Sequence, residues 1–242
     1  MIWSTSGKGW TLLRRSERTH FGTNEGVNIL QELLAETGLD IELPVLEQKD
    51  IKALSLDEEN RFIGISTNDK FHTLFMVGLD SGLGLGGLLT LTWNNIDFES
   101  SKISVSKNLI YEKDFDGKTK NKNIMFLQNS PKTKSSARKV PITQRSLKLL
   151  KEFRIETNNF MVFATRTGNY LNPRNVERSF VRLTIKAGTE NCNFHSLRHT
   201  YATRLFEIGI SVNVVSKLLG HAKASITTSI YISVLPSLKK MP

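Results

Sequence analysis

The apolar positions change their period along the chain, and each change marks an element. Ser55 stands three residues before Glu58, the reciprocal pattern of a helix start. The acids Asp57, Glu58 and Glu59 suit the positive end of a helix, so a helix is expected over 56–66. Helical spacing continues over 70–80 and 85–92. At 102–106 the alternation drops to a period of two, with 124–127 and 137–142 as the expected partner strands and a polar, turn-rich stretch at 113–123 between them. Helical spacing resumes over 144–156, 173–187, 196–208 and 212–219, the last closed by Gly220. Before this region the pattern is weak. Val27, Leu30, Leu33 and Leu34 outline an amphipathic stretch, and 41–51, with Pro44 and alternating charge, has the character of a linker. The expected architecture is mixed, mainly α with a small antiparallel β-sheet. It divides into an N-terminal remnant (1–43), a linker (44–54) and a main domain (55–242).

Composition changes this picture little: 39% hydrophobic and 23% charged residues describe an ordinary globular chain. The single cysteine, Cys192, rules out an intramolecular disulfide and a cysteine metal cluster, in keeping with a reducing cytoplasm. No secretory signal is expected at the start. The longest stretch without Lys or Arg near the middle, 71–97, is interrupted by Asp80 and five glycines, which argues against a membrane span.

Charge changes it more. The formal net charge is +10, yet residues 1–50 hold five Lys/Arg against eight Asp/Glu, so the remainder carries +13. Residues 102–140 alone hold ten basic and three acidic side chains. Such a concentration points to a polyanion, nucleic acid being the commonest, against the plainer reading of a solvated lysine-rich face.

The candidate chemistry lies in the C-terminal third. In His195-Ser-Leu-Arg198-His199-Thr-Tyr201-Ala, a helix sets His195 and Arg198 on one face, while Leu197, Tyr201 and Leu205 step along another that anchors it. A proton-transfer group beside a guanidinium suits phosphate chemistry. Leu218-Leu-Gly220-His221 follows, with Tyr231 ten residues after His221, and Pro131-Lys132-Thr-Lys134 forms a basic turn between expected strands.

Together these motifs resemble the tyrosine recombinase (phage integrase) family. The resemblance extends upstream, where Ser81-Gly-Leu-Gly84-Leu-Gly-Gly87 through Trp93 and Asp97 is similar to the family's first arginine box, and it covers about residues 50–235 in the family's order. It implies the catalytic-domain fold of the DNA breaking-rejoining enzymes and a reaction that needs no cofactor. Tyr231 would attack the scissile phosphate to give a 3′-phosphotyrosyl bond. Arg198 would clamp the non-bridging oxygens, His195 would serve as acid/base, and His221 would hydrogen-bond the phosphate. Lys132 would protonate the departing 5′ oxygen, with Lys134 as its competitor. Lys132, Lys134, Arg138 and Arg178 are the expected DNA contacts. The implied partners are double-stranded DNA at attachment-type sites and further copies of the chain, up to a tetramer, in a bacterial or phage-encoded cytoplasmic setting without a membrane.

Two departures from the family pattern stand out. Its G-L-R-x-G-E segment here has Gly84 at the arginine and Gly87 at the glutamate. The loss of one charged donor from phosphoryl transfer costs roughly 10³–10⁵ in rate, so impaired cleavage with retained DNA binding is expected. The alternative is a catalytically inactive relative that occupies or competes for recombination sites. The acidic residues 1–43 are also short for the family's core-binding region. Two other motifs carry less weight. Gly82-x-Gly84-x-x-Gly87 lacks the strand–helix setting of a dinucleotide fingerprint. His195 and His199 lack the glutamate and third ligand of a zinc site.

Overall fold

The computed structural model describes residues 52–113, 123–128, 138–157, 159–189, 191–221 and 224–238, all within one compact unit of the chain. Residues 1–51, expected as an N-terminal remnant and most of the linker, and the segment bearing Lys132 and Lys134 lie outside the described residues.

Helix α1 (Leu56–Ser66) opens on the expected reciprocal cap. The Glu58 N–H donates to Ser55 Oγ at 3.3 Å, and the Ser55 N–H donates to Glu58 Oε2 at 2.9 Å. Helix α2 (His72–Ser81) is buried along most of its length and ends at Gly82, whose φ of +63° turns the chain out of the helix. Helix α3 (Leu85–Leu89) is shorter than the spacing predicts. The pair Gly86-Gly87 weakens the helix, and Thr90 closes it by donating its hydroxyl to the Gly87 carbonyl at 2.9 Å.

The strands follow. β1 (Ile96–Asp97), β2 (Lys102–Val105) and β5 (Arg138–Pro141) form an antiparallel sheet in the order β1-β2-β5, with Ile103 opposite both Ile96 and Val140. β3 (Asn108–Lys113) and β4 (Asn123–Gln128) form a separate antiparallel ladder, with Ile110 opposite Phe126. The expectation that 124–127 would pair with 102–106 is therefore corrected: that segment pairs with 108–113. The polar ends of β3, Asn108 and Lys113, hide its apolar middle from a search for alternation.

Four further helices match their expected spans closely: α4 (Gln144–Glu156), α5 (Pro173–Lys186), α6 (His195–Glu207) and α7 (Val212–Leu219). A fifth, α8 (Ala224–Leu238), carries Tyr231 and was not expected.

The core has two parts. In the larger, Phe62, Phe75, Phe180 and Phe194 meet with ring centroids 5.2–6.3 Å apart, tying α1, α2 and α5 to the start of α6. The smaller gathers Tyr201, Phe206, Val215, Leu219 and Ile230 from α6, α7 and α8. Leu197 belongs to the first and Tyr201 to the second, so α6 spans both and its intervening residues are fixed from two sides. Leu54 docks here as well: its N–H donates to Thr200 Oγ1 at 2.8 Å and its carbonyl accepts from Arg204 Nη2 at 2.9 Å. Among the described residues no helix is long and apolar enough to cross a membrane.

Candidate active site

Arg198 sits at the centre of the site. Its Nη1 donates to the Gly82 carbonyl at 2.9 Å, just past the end of α2, and its Nη2 donates to the Leu219 carbonyl at 2.6 Å, at the end of α7. The guanidinium thus bridges two helix C-termini, where exposed carbonyls favour a cation. Both ends stop at a left-handed glycine, Gly82 and Gly220. Gly82 also needs to be small, since a Cβ there would lie 2.4 Å from Tyr201 Cδ1.

The histidines surround this arginine. His195 opens α6, and its ring lies 5.2 Å from that of His199. Although His195 keeps an exposed edge, loss of water around the imidazole, followed by the charges of Arg198 and His199, pushes its pKa down to about 4. His221, directly after Gly220, shares a hydrogen bond between its Nδ1 and Thr227 Oγ1 at 2.8 Å. Burial first, then Arg198 and the neighbouring histidines, pushes its pKa down to about 4 as well. His199 is lowered by burial and by Arg198. All three are neutral at pH 7, leaving lone pairs free to accept protons.

Arg138, expected only as a DNA contact, reaches the same place from β5. Its Nε donates to the Leu218 carbonyl at 2.6 Å, one residue before the carbonyl that Arg198 holds. Burial and the Arg138 charge bring Arg198 down to about 10. Among the described residues no ion pair joins Arg198 or a site histidine to an acid. Arg198 and Arg138 thus concentrate positive charge at one helix end. Among the described residues, no group of three or more His, Cys, Asp or Glu could hold a metal.

Gly84 is the N-cap residue of α3, two residues past the carbonyl that Arg198 holds, with an extended backbone (φ −70°, ψ 157°). A Cβ at Gly84 would meet no described atom within 4 Å, and one at Gly87 would make ordinary contact with Val105 at 3.9 Å. Gly86 differs, because a Cβ there would fall 2.4 Å from the Leu109 carbonyl oxygen. Packing therefore demands glycine at 82 and 86, whereas the described residues demand none at 84 or 87.

The remaining expected residues are not tied to this cluster by any interaction among the described residues. Tyr231, on α8, stacks edge-on against Phe206 at 5.1 Å between centroids, and among the described residues no hydrogen bond ties it to the arginine–histidine cluster. Arg178 is exposed on α5 in a shallow hollow with Asn68, Lys70 and Arg182. Lys132 and Lys134 fall outside the described residues. Sequence reasoning missed Thr227 as the partner of His221, and also missed the Leu218 and Leu219 carbonyls as cation anchors. A backbone carbonyl leaves no mark in residue spacing.

Comparison with known proteins identifies the family. The phage integrase family matches residues 45–237. A tyrosine recombinase XerC-like protein of Caldanaerobacter subterraneus subsp. tengcongensis is 33% identical over 222 residues, covering 84% of this chain and 56% of the relative. Tyrosine recombinase XerC of Escherichia coli O127:H6 is 27% identical over 210 residues, covering 83% of this chain and 62% of the relative. The chain thus spans a little over half the length of these relatives. Among solved structures, the Tn1549 transposon integrase in complex with circular intermediate DNA superposes with a TM-score of 0.71 at 19% identity, covering 97% of this chain and 84% of that one. XerA recombinase gives 0.61 at 20% identity, covering 90% and 74%. The chain belongs to the phage integrase family, the tyrosine recombinases.

Proposed function

We propose that this chain is the catalytic region of a site-specific DNA recombinase that works through a 3′-phosphotyrosyl intermediate, weakened at its phosphate clamp by Gly84. The observation that carries the proposal is the junction where Arg198, His195, His221 and Arg138 surround the ends of α2 and α7. A phosphodiester brings negative charge to these guanidinium groups, and the charge grows as the phosphorane-like transition state forms.

In the reaction, the Tyr231 hydroxyl oxygen attacks phosphorus and the bond from phosphorus to the 5′ oxygen breaks. His195, neutral at pH 7, accepts the tyrosine proton. Lys132 gives a proton to the leaving oxygen, which departs as a 5′-hydroxyl. Arg198 holds two non-bridging oxygens with its fork, and His221 donates to one of them. The phosphotyrosyl bond conserves the phosphodiester energy, so attack by a second 5′-hydroxyl reverses the chemistry on a new partner strand. The substrate is double-stranded DNA at attachment-type sites, contacted also by Lys134, Arg138 and Arg178, and the working unit is an assembly of copies on DNA in a bacterial or phage-encoded cytoplasmic setting. The fold is also similar to that of a lambda integrase tetramer bound to a Holliday junction, which supports such an assembly.

A second reading rests on one specific observation, the pair Gly84 and Gly87: an inactive relative that occupies recombination sites. Covalent trapping on nicked suicide duplexes, tiled across the DNA flanking the gene, separates the two. The double change Gly84→Arg plus Gly87→Glu is expected to raise adduct formation by about 10² or more over the unmodified chain. Equal adduct from both proteins would remove the impairment, and binding without adduct from either would favour the inactive relative.

A further inference from the structure

We propose that Arg138 supplies the second guanidinium of the phosphate clamp, in partial replacement of the arginine missing at position 84. The inference rests on the recombinase reading above. Arg138 Nε and Arg198 Nη2 hold consecutive carbonyls, Leu218 and Leu219, each at 2.6 Å, which brings two guanidinium groups to one helix end. The glycine after those carbonyls makes room for the arrangement: a Cβ at Gly220 would lie 2.5 Å from Arg138 Nη1 and 2.8 Å from its Cζ.

A guanidinium beside Arg198 adds like-charge repulsion in a half-buried place, which the carbonyls of the α7 C-terminus reduce. A phosphate seated against both guanidinium groups would turn that repulsion into a shared attraction, because they take oxyanions in bidentate fashion. Arg138 also occupies a definite position relative to the gap. Arg198 faces Gly82 with one amino group and α7 with the other. A side chain at position 84 would approach from the Gly82 side, whereas Arg138 approaches from the α7 side. It therefore replaces the charge more fully than the geometry, and the chain retains a reduced rate that runs through Arg138.

The test is a double-mutant cycle on the tiled nicked duplexes, with adduct formation measured for the unmodified chain, Arg138→Gln, Gly84→Arg and the combination. The unmodified chain is expected to form adduct slowly. Arg138→Gln should reduce that rate by about 10² or more, but cost the Gly84→Arg chain less than about tenfold, because the restored arginine takes over. Arg138→Lys, which keeps the charge without the fork, should fall between the two. Equal losses in both backgrounds overturn the proposal, since a folding or general DNA-binding defect acts on both alike. Adduct from Gly84→Arg but none from the unmodified chain also overturns it, while the recombinase reading stands. No adduct from any of the four removes both.

Discussion

Four glycines within six residues carry different burdens. Gly82 combines a positive φ with a Cβ position only 2.4 Å from the Tyr201 ring, so Gly82→Ala should cost about 2–4 kcal/mol from backbone strain and overpacking together. Gly84→Ala, at an extended N-cap position among open space, should change stability by no more than about 0.5 kcal/mol. Urea unfolding of the two variants measures the contrast, and equal losses would contradict it. The site histidines add a pH signature. His195 and His221 have pKa values pushed down from 6.5 to about 4, so the unfolded chain binds their protons first as the pH falls. The stability tied to their neutral forms is fully present above about pH 6.5 and is lost as the pH falls toward 4. The thermal midpoint should accordingly be lower at pH 5 than at pH 7.5, and His195→Gln with His221→Gln should flatten the difference. A drop of undiminished size in that double variant would mean that other groups titrate.

Among elements, the one that delivers Gly82 to the site is held at that same end by a buried acid. Asp80, in the last turn of α2, accepts hydrogen bonds at the start of α4 from Thr143 Oγ1 at 2.5 Å and Ser146 Oγ at 2.6 Å, and pairs with Arg145. Asp80→Ala would leave these donors facing a void, with an expected loss of about 3–5 kcal/mol and a weaker hold on Arg198 through a shifted Gly82 carbonyl. A loss under about 1 kcal/mol in calorimetry would show that the α2–α4 joint is not anchored there. The same scale shows what the sequence made legible. Helices α4 to α7 could be read because their caps and apolar stripes agree: Thr143 and Asn172 accept from the first turns of α4 and α5, and Gly220 closes α7. Helix α8 could not, because Ile226, Thr227, Thr228, Ile230 and Ile232 are β-branched and weak helix formers in isolation. Its packing on α6 and α7 through Ile230 overrides that preference. Pairing of β4 with β3 rather than β2 is a tertiary choice that period alone does not encode.

For the molecule as a whole, the uneven charge is the feature with a direct readout. With +13 carried by residues beyond 50, binding to a duplex should weaken steeply as salt rises. A footprint of about six phosphates gives a slope near −5 in log affinity against log salt. Fluorescence anisotropy with a labelled duplex measures this slope, and a slope near zero would contradict a phosphate-led interface. At this scale the candidate site was legible in part. The motifs pointed to His195, Arg198 and His221, which the structure gathers near one helix junction, and to Tyr231, which lies on α8 against Phe206. The meeting of Arg138 with Arg198 could not be read from them, because 60 positions separate the two and the carbonyls that bring them together have no side-chain signature.

The unencumbered backbone at position 84 also bears on how readily the proposed loss could be reversed. Every arginine codon family that begins with C, and the pair that begins with A, lies one base from a glycine codon. No compensating change in the described packing stands in the way of the larger side chain. On the proposed reading, one point mutation restores the arginine, and a population under selection for recombination should recover it at position 84 before it alters any other residue of the candidate site.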